Sequence, residues 1–151
     1  MKIVSAVFEN QKTIPDKYTC KGDGVNPPLE FVDVPPSTKS LTLIVDDPDA
    51  PGGSPRGEAG DFVHWVTYNI PVTISALAEG TKPAGVEGFN SGGRSGYYPP
   101  CPPTGTHRYF FKLYALDAEL KLSGKADKKA VEAAMQGHII EQAELIGLYS
   151  K

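Results

Sequence analysis

Histidine is the side chain best suited to proton and anion chemistry near neutral pH, and this chain has three: His64, His107 and His138. Two of them share a strand pattern with an aspartate. In 40–47 the apolar residues Leu41, Leu43 and Val45 have one parity, and the next residue of that parity is Asp47. Pro48 comes next, and a residue before proline is biased towards extended geometry. The sequence therefore predicts an extended Asp47-Pro48-Asp49 with both carboxylates leaning the same way. In 62–70 the row Phe62, Val66, Tyr68 and Ile70 has His64 as its polar member, opposite Val63, Trp65, Thr67 and Asn69. In 107–116, His107 starts the apolar row Tyr109, Phe111, Leu113 and Ala115, while Arg108 and Lys112 fall on the other face. One aspartate and two histidines thus take core-side positions on three predicted strands.

A buried aspartate needs a partner, because an unpaired interior charge is costly. Taken singly, each histidine reads as a core residue satisfied by one hydrogen bond. Taken together with Asp47, they describe a pocket with three candidate uses. An imidazolium and loop N–H groups would hold an anion, the carboxylate keeping the ring charged or fixing its tautomer. The pair would also serve acid–base chemistry, and two His with one or two carboxylates is a metal-ligand set. Other groups weigh less. His138 falls near a predicted helix end and reads as solvated or capping. Tyr97 and Tyr98 would make a pocket lip or an ordinary exposed pair. Ser95 stands in no G-x-S-x-G elbow, and neither a GxGxxG nor a P-loop is present, so no nucleotide cofactor is expected.

The elements that must position these groups are strands. Sixteen Gly and fourteen Pro among 151 residues disfavour a helical bundle. Strands are predicted over Lys2–Phe8, Ser40–Asp46, Phe62–Ile70 and His107–Leu116 from their β-branched and aromatic content. Loops rather than helices separate them, which points to antiparallel pairing in a sandwich or Greek key. The Gly/Pro excess concentrates in two stretches, seven of thirteen residues over 48–60 and eleven of twenty-three over 83–105, and these are the candidate site walls. After Ser123, the spacing of Ala126, Ala130, Val131, Ala134 and Met135 predicts a helix that Gly137 ends. The tail HIIEQAELIGLYSK carries both helix and strand signals.

Length gives a single domain spanning 1–151 as the expectation. Fifteen basic against eighteen acidic residues leave a formal net charge of −3, so no nucleic-acid partner is expected. No apolar run suits a signal peptide or a membrane span, and the expectation is a cytoplasmic protein without an integral membrane segment. Cys20 and Cys101 are either two thiols or one bridge, and reduced thiols are the favoured reading.

On these residues the sequence resembles the phosphatidylethanolamine-binding protein family, in its bacterial and archaeal Raf-kinase-inhibitor-like branch. The two signatures stand as DDPDAPGG with DFVHWVTYNIP, and GYYPPCPPTGTHRYFFKLYALD; IPDKYTCKGDG, NPPLEF and AELIGLYSK extend the match over almost the whole chain. The resemblance implies a mainly β fold of two largely antiparallel sheets with short peripheral C-terminal helices, and a small anion pocket at one end. It implies Asp47, Asp49, His64, His107 and Tyr109 as ligand-binding residues. The ligand-facing Gly-Pro loop of the family falls at Pro99 and Pro100, leading into Cys101. Pro99 departs from the family's glycine and has no N–H to offer an anion. The family fold would also bring the Cys20 and Cys101 loops near the pocket.

The function so implied is non-catalytic binding of a small anionic or phosphorylated ligand, weakening as histidine loses charge around an unperturbed ~6.5. The family name alone adds a kinase or protease as protein partner and a homodimer as assembly. The sequence runs as far as GLYSK, without the C-terminal extension of animal members, so kinase regulation through that region is not expected. An Asp/His-dependent phosphoester hydrolase is the alternative, weakened because no nucleophile motif accompanies the pair. A metal site is a third option; no cofactor is expected.

Overall fold

A computed structural model describes residues 1–50 and 61–151 of the chain. Most of the first Gly/Pro stretch, Pro51 to Gly60, lies outside the described residues, and with it part of the first signature. The elements are β1 (Lys2–Val4), β2 (Lys12–Thr13), a 3-10 turn (Asp16–Tyr18), β3 (Leu29–Val32), β4 (Ser40–Asp47), β5 (Phe62–Ile70), β6 (Ala76–Leu77), β7 (Val86–Glu87), β8 (Thr106–Leu116), α1 (Lys128–Met135) and β9 (Ile139–Ser150). They form a three-stranded sheet, β1-β3-β6, and a six-stranded sheet, β2-β9-β8-β4-β5-β7. All pairs are antiparallel except β2 with β9. The expected mainly β, two-sheet fold is therefore found.

Apolar rows on facing sheet surfaces bury each other. Ile3, Leu29, Phe31 and Leu77 of the small sheet meet Leu41, Leu43, Val45, Phe111 and Leu113 of the large one. The outer face of the large sheet has a second core, where Ile44, Val66 and Tyr68 pack under Val131 and Met135 of α1. A single α-helix is present among the described residues where helices were expected. Asp127 caps it by accepting from the Ala130 N–H at 2.9 Å, and Gly137 beyond it takes φ +83°.

Strands β4 and β8 keep the predicted alternation, but β5 does not. Its pairing with β4 steps from Val45↔Trp65 to Asp46↔Val63, leaving His64 as an extra residue, and slips again between Leu41↔Ile70 and Leu43↔Thr67. At the second slip Asn69 adopts φ +53°, held by two hydrogen bonds between its amide and the Leu120 backbone. Each bulge reverses the parity of the residues beyond it. The predicted row Phe62, Val66, Tyr68 and Ile70 is consequently split: Trp65 and Ile70 join the core between the sheets, while Val66 and Tyr68 face the helix.

Three further expectations change. The first strand stops at Val4, and Phe8 packs into the core from the irregular segment beyond it. The ambiguous tail is strand from Ile139, because pairing with β8 along its whole length overrides the helix preference of Glu-Gln-Ala-Glu. Cys20 and Cys101, favoured as free thiols, are joined in a disulfide, since the loop after the 3-10 turn crosses the segment that precedes β8.

Candidate functional site

The site sits where β4 ends, β5 begins and β8 begins, three neighbouring strand ends of the large sheet. Asp46 opposes Phe110 across the β4–β8 pair, which places Asp47 diagonally against His107. The His107 Nδ1 lies 2.6 Å from Asp47 Oδ2; the carboxylate accepts, so Nδ1 carries a hydrogen and Nε2 is the ring nitrogen left over. Asp47 Oδ1 accepts the Asp49 N–H at 2.8 Å. Burial pushes the Asp47 carboxyl above the usual carboxylate range, against the hydrogen bonds from His107 and Asp49 that favour its charge.

His64 reaches the same pocket through the bulge, not through alternation. Its Nδ1 donates to the Tyr98 carbonyl at 2.7 Å, and its own carbonyl accepts the Tyr98 N–H at 2.8 Å. The ring is 4% exposed as a residue and packs against Phe62, Tyr98 and Tyr109 with centroids 4.8, 5.9 and 5.1 Å away. Burial lowers its pKa to about 4, so at neutral pH it is an uncharged imidazole whose Nε2 is an acceptor. Tyr109 stands between the histidines, stacked on His107 at 6.4 Å and edge-on to His64. Its hydroxyl is held well above the ordinary phenol range by burial and by the nearby Asp47 and Asp49.

These groups line a pocket of about 270 Å³. Asp47, His64, Pro99, Cys101, His107 and Tyr109, all expected there, are brought together. Two are not. Pro100 is buried behind the wall, where its carbonyl accepts the Cys20 N–H at 3.1 Å. Asp49 turns away: Pro48 and Asp49 form a turn instead of extended chain, closed by the Asp47 Oδ1 contact, and the Asp49 carboxylate takes a two-pronged pair from Arg108 at 2.9 Å on the outer face of β8. The Arg108 guanidinium holds that carboxyl below its usual range. Phe62, Tyr98, Ala50, Pro102 and Pro103 complete the lining. Alternation places Phe62 in a core row, and Tyr98 reads equally as lip or surface; the proline-dense run YYPPCPP is the signal for the rest. Its neighbour Tyr97 is elsewhere, edge-on to Trp65 and donating to the Tyr18 carbonyl. His138, as expected, is at the surface, paired with Asp117.

Among the described residues no cluster of three or more His, Cys, Asp or Glu is arranged to hold a metal ion. Nor is any helix among them long and apolar enough to cross a membrane. Among the described residues the lining holds one carboxylate, one histidine hydrogen-bonded to it, one neutral histidine, and walls of proline and aromatic ring.

Fold and pocket together define a β-sandwich protein with a histidine–aspartate pair recessed at the end of its central strands. The family model for phosphatidylethanolamine-binding protein matches residues 4–150, and the chain belongs to that family. It is 48% identical over 151 residues to a UPF0098 protein of Chlamydia trachomatis, covering all of this chain and 99% of the relative. Among solved structures, a phosphatidylethanolamine-binding protein homologue from Chlamydia trachomatis superposes with TM-score 0.94 at 46% identity, covering 99% of this chain and 97% of that one. Escherichia coli YbcL, described as a member of the mammalian family, gives 0.87 at 29% identity, with 99% and 98% covered.

Proposed function

We propose that the pocket binds a small phosphoryl group in its monoanionic form, free or as a head group. The observation that carries this reading is the His107 ring fixed by Asp47 within the same pocket as a neutral His64. A dianion has little to recommend it beside the Asp47 carboxyl group and a neutral His64. A monoanion fits better, accepting from a protonated His107 Nε2 through one oxygen and donating its P–OH hydrogen to His64 Nε2. The proline and aromatic walls exclude water and strengthen both bonds. Pro99 contributes ring surface where a glycine would contribute an N–H, so affinity is expected to be modest.

Calorimetry with inorganic phosphate and with phosphoethanolamine at pH 6 and pH 8 tests the proposal. Binding at pH 6 that weakens at pH 8 is expected, because at the higher pH the phosphoryl group has lost the proton it would donate to His64. Tighter binding of phosphoethanolamine than of phosphate would assign the head group; equal binding would assign the phosphoryl group alone. Absence of binding at pH 6 would overturn the reading. The Asp47–His107 pair also matches half of a hydrolytic apparatus, yet among the described residues the pocket lining offers no hydroxyl nucleophile except the phenols of Tyr98 and Tyr109, and Cys101 is oxidised. Turnover of a phosphoester that disappears in Asp47→Asn would favour that alternative.

A further inference from the structure

The wall of the pocket from Tyr98 to Pro103 is secured unevenly. Tyr98 is tied to His64 by two hydrogen bonds, and Pro100 to Cys20 by one. Beyond Pro100, residues 101–105 make no hydrogen bond to any other described residue, and Pro103, Thr104 and Gly105 are exposed. This outer part is held by the burial of Pro102 and by the bond from Cys101 to Cys20, 81 residues earlier. Cys101, Pro102 and Pro103 line the same pocket as His107. Both cysteines are exposed, and exposed disulfides are the ones that thiols reach and reduce.

We propose that Cys20–Cys101 is a thiol–disulfide exchange site for dithiol reductants, and that its oxidation state sets the ligand affinity of the adjoining pocket. The second half rests on the phosphoryl-binding reading above. A thiolate of the reductant attacks one cysteine sulfur; the S–S bond breaks and its electron pair leaves on the other cysteine as a thiolate, which takes up a proton. The second thiol of the reductant then attacks the mixed disulfide, releasing the remaining cysteine as a thiol and closing the reductant's own disulfide. The protein gains two electrons and two protons, and the dithiol loses the same. In the reduced state the Tyr98 end of the wall keeps its hydrogen bonds to β5, whereas the Cys101–Gly105 end is free to move away from His107. Preorganisation of the binding surface is lost, and affinity falls with it.

The full-length chain is incubated with or without dithiothreitol, its thiols are titrated, and binding of inorganic phosphate at pH 6 is measured alongside hydrogen–deuterium exchange of the Cys20 amide, which donates to the Pro100 carbonyl. Reduction is expected to expose both cysteines as thiols, to speed exchange of the Cys20 amide as its bond to the Pro100 carbonyl loosens, and to weaken phosphate binding by roughly fivefold or more, all restored on reoxidation. Cys20→Ser should behave as the reduced protein under both conditions; if that variant fails to fold, the reversible chemistry of the unmodified chain decides alone. A disulfide that resists the dithiol in the folded protein, or a reduced form with unchanged exchange and unchanged binding, would overturn the proposal. If neither form binds phosphate but exchange of the Cys20 amide speeds on reduction, the phosphoryl reading falls and the exchange site with its coupled wall stands.

Discussion

His107 and Asp47 are 60 residues apart in sequence and 2.6 Å apart in space, each at the end of a strand whose inward row is otherwise apolar. The pair is the point at which a core of apolar side chains gives way to a titratable pocket, and it acts through a single ring. Replacing His107 by Ala removes the ring; replacing Asp47 by Asn removes what orients it. Each substitution is expected to weaken phosphate binding at pH 6 by about tenfold or more. The double variant should lose little beyond either single one, because both losses pass through the same imidazole. A calorimetric double-mutant cycle reads this directly, and additive losses would show that the two residues contact the ligand separately.

Acid sensitivity should trace to His64. Its pKa is pushed down to about 4 by burial, against 6.5 in an unstructured chain, so between those values the unfolded chain binds a proton that the native chain refuses. Stability from this group is complete above pH 6.5 and is lost as the pH falls towards 4, a change on the order of 3 kcal/mol. Asp47 runs the other way: its raised carboxyl favours the native state at acid pH and that contribution fades as pH rises through its folded pKa. Urea titrations at pH 7 and pH 5 should therefore show a fall in stability in the unmodified chain that His64→Phe largely removes.

Gly24 has φ +71°, and a Cβ there would lie 2.9 Å from Cγ of Pro99. Gly24→Ala is expected to cost about 2 kcal/mol from the left-handed backbone and the clash together. Adding Pro99→Ala removes the clashing Cγ, so the double variant should recover part of the loss in thermal unfolding. A double variant no more stable than Gly24→Ala would mean that backbone conformation accounts for the whole effect.

On the opposite face of β4, Asp46 is wholly buried and its Oδ2 meets Lys112 at 3.0 Å and Lys128 at 2.8 Å. The lysines are partly exposed and can turn to water, but the carboxylate cannot. Lys112→Met with Lys128→Met strands the buried charge and should cost about 3–5 kcal/mol, more than Asp46→Asn, which removes it. Chemical denaturation of the three proteins decides the order.

Much of this site is legible in the sequence because β4 and β8 obey simple alternation. The row that Asp47 ends and the row that His107 starts are both found, and the pair arises from their neighbouring strands. Parity fails on β5, where a histidine in one bulge and an asparagine in another are set by tertiary contacts such as the Leu120 hydrogen bonds, which no local pattern reports. His64 reaches the pocket all the same, through a mechanism alternation does not describe. Asp49 escapes its expected place because its partner, Arg108, becomes a neighbour only once β4 and β8 pair. The disulfide and the short strands β2, β6 and β7 likewise depend on contacts between distant segments, and two-residue strands carry almost no signal of their own.

Strand β9 lies between β8 and β2, and Gly147 leaves the space that Ile14 fills, a Cβ there falling 2.5 Å from Ile14 Cγ1. Residues 12–14 thus have no place to dock until residues 147–148 arrive. During synthesis residues 12–14 must wait, with Ile14 uncovered, for residues 147–148 to leave the ribosome. Assembly of this sheet is therefore dominated by long-range closure, a topology that folds slowly, and a chain stalled before residue 147 would be an early client for chaperones.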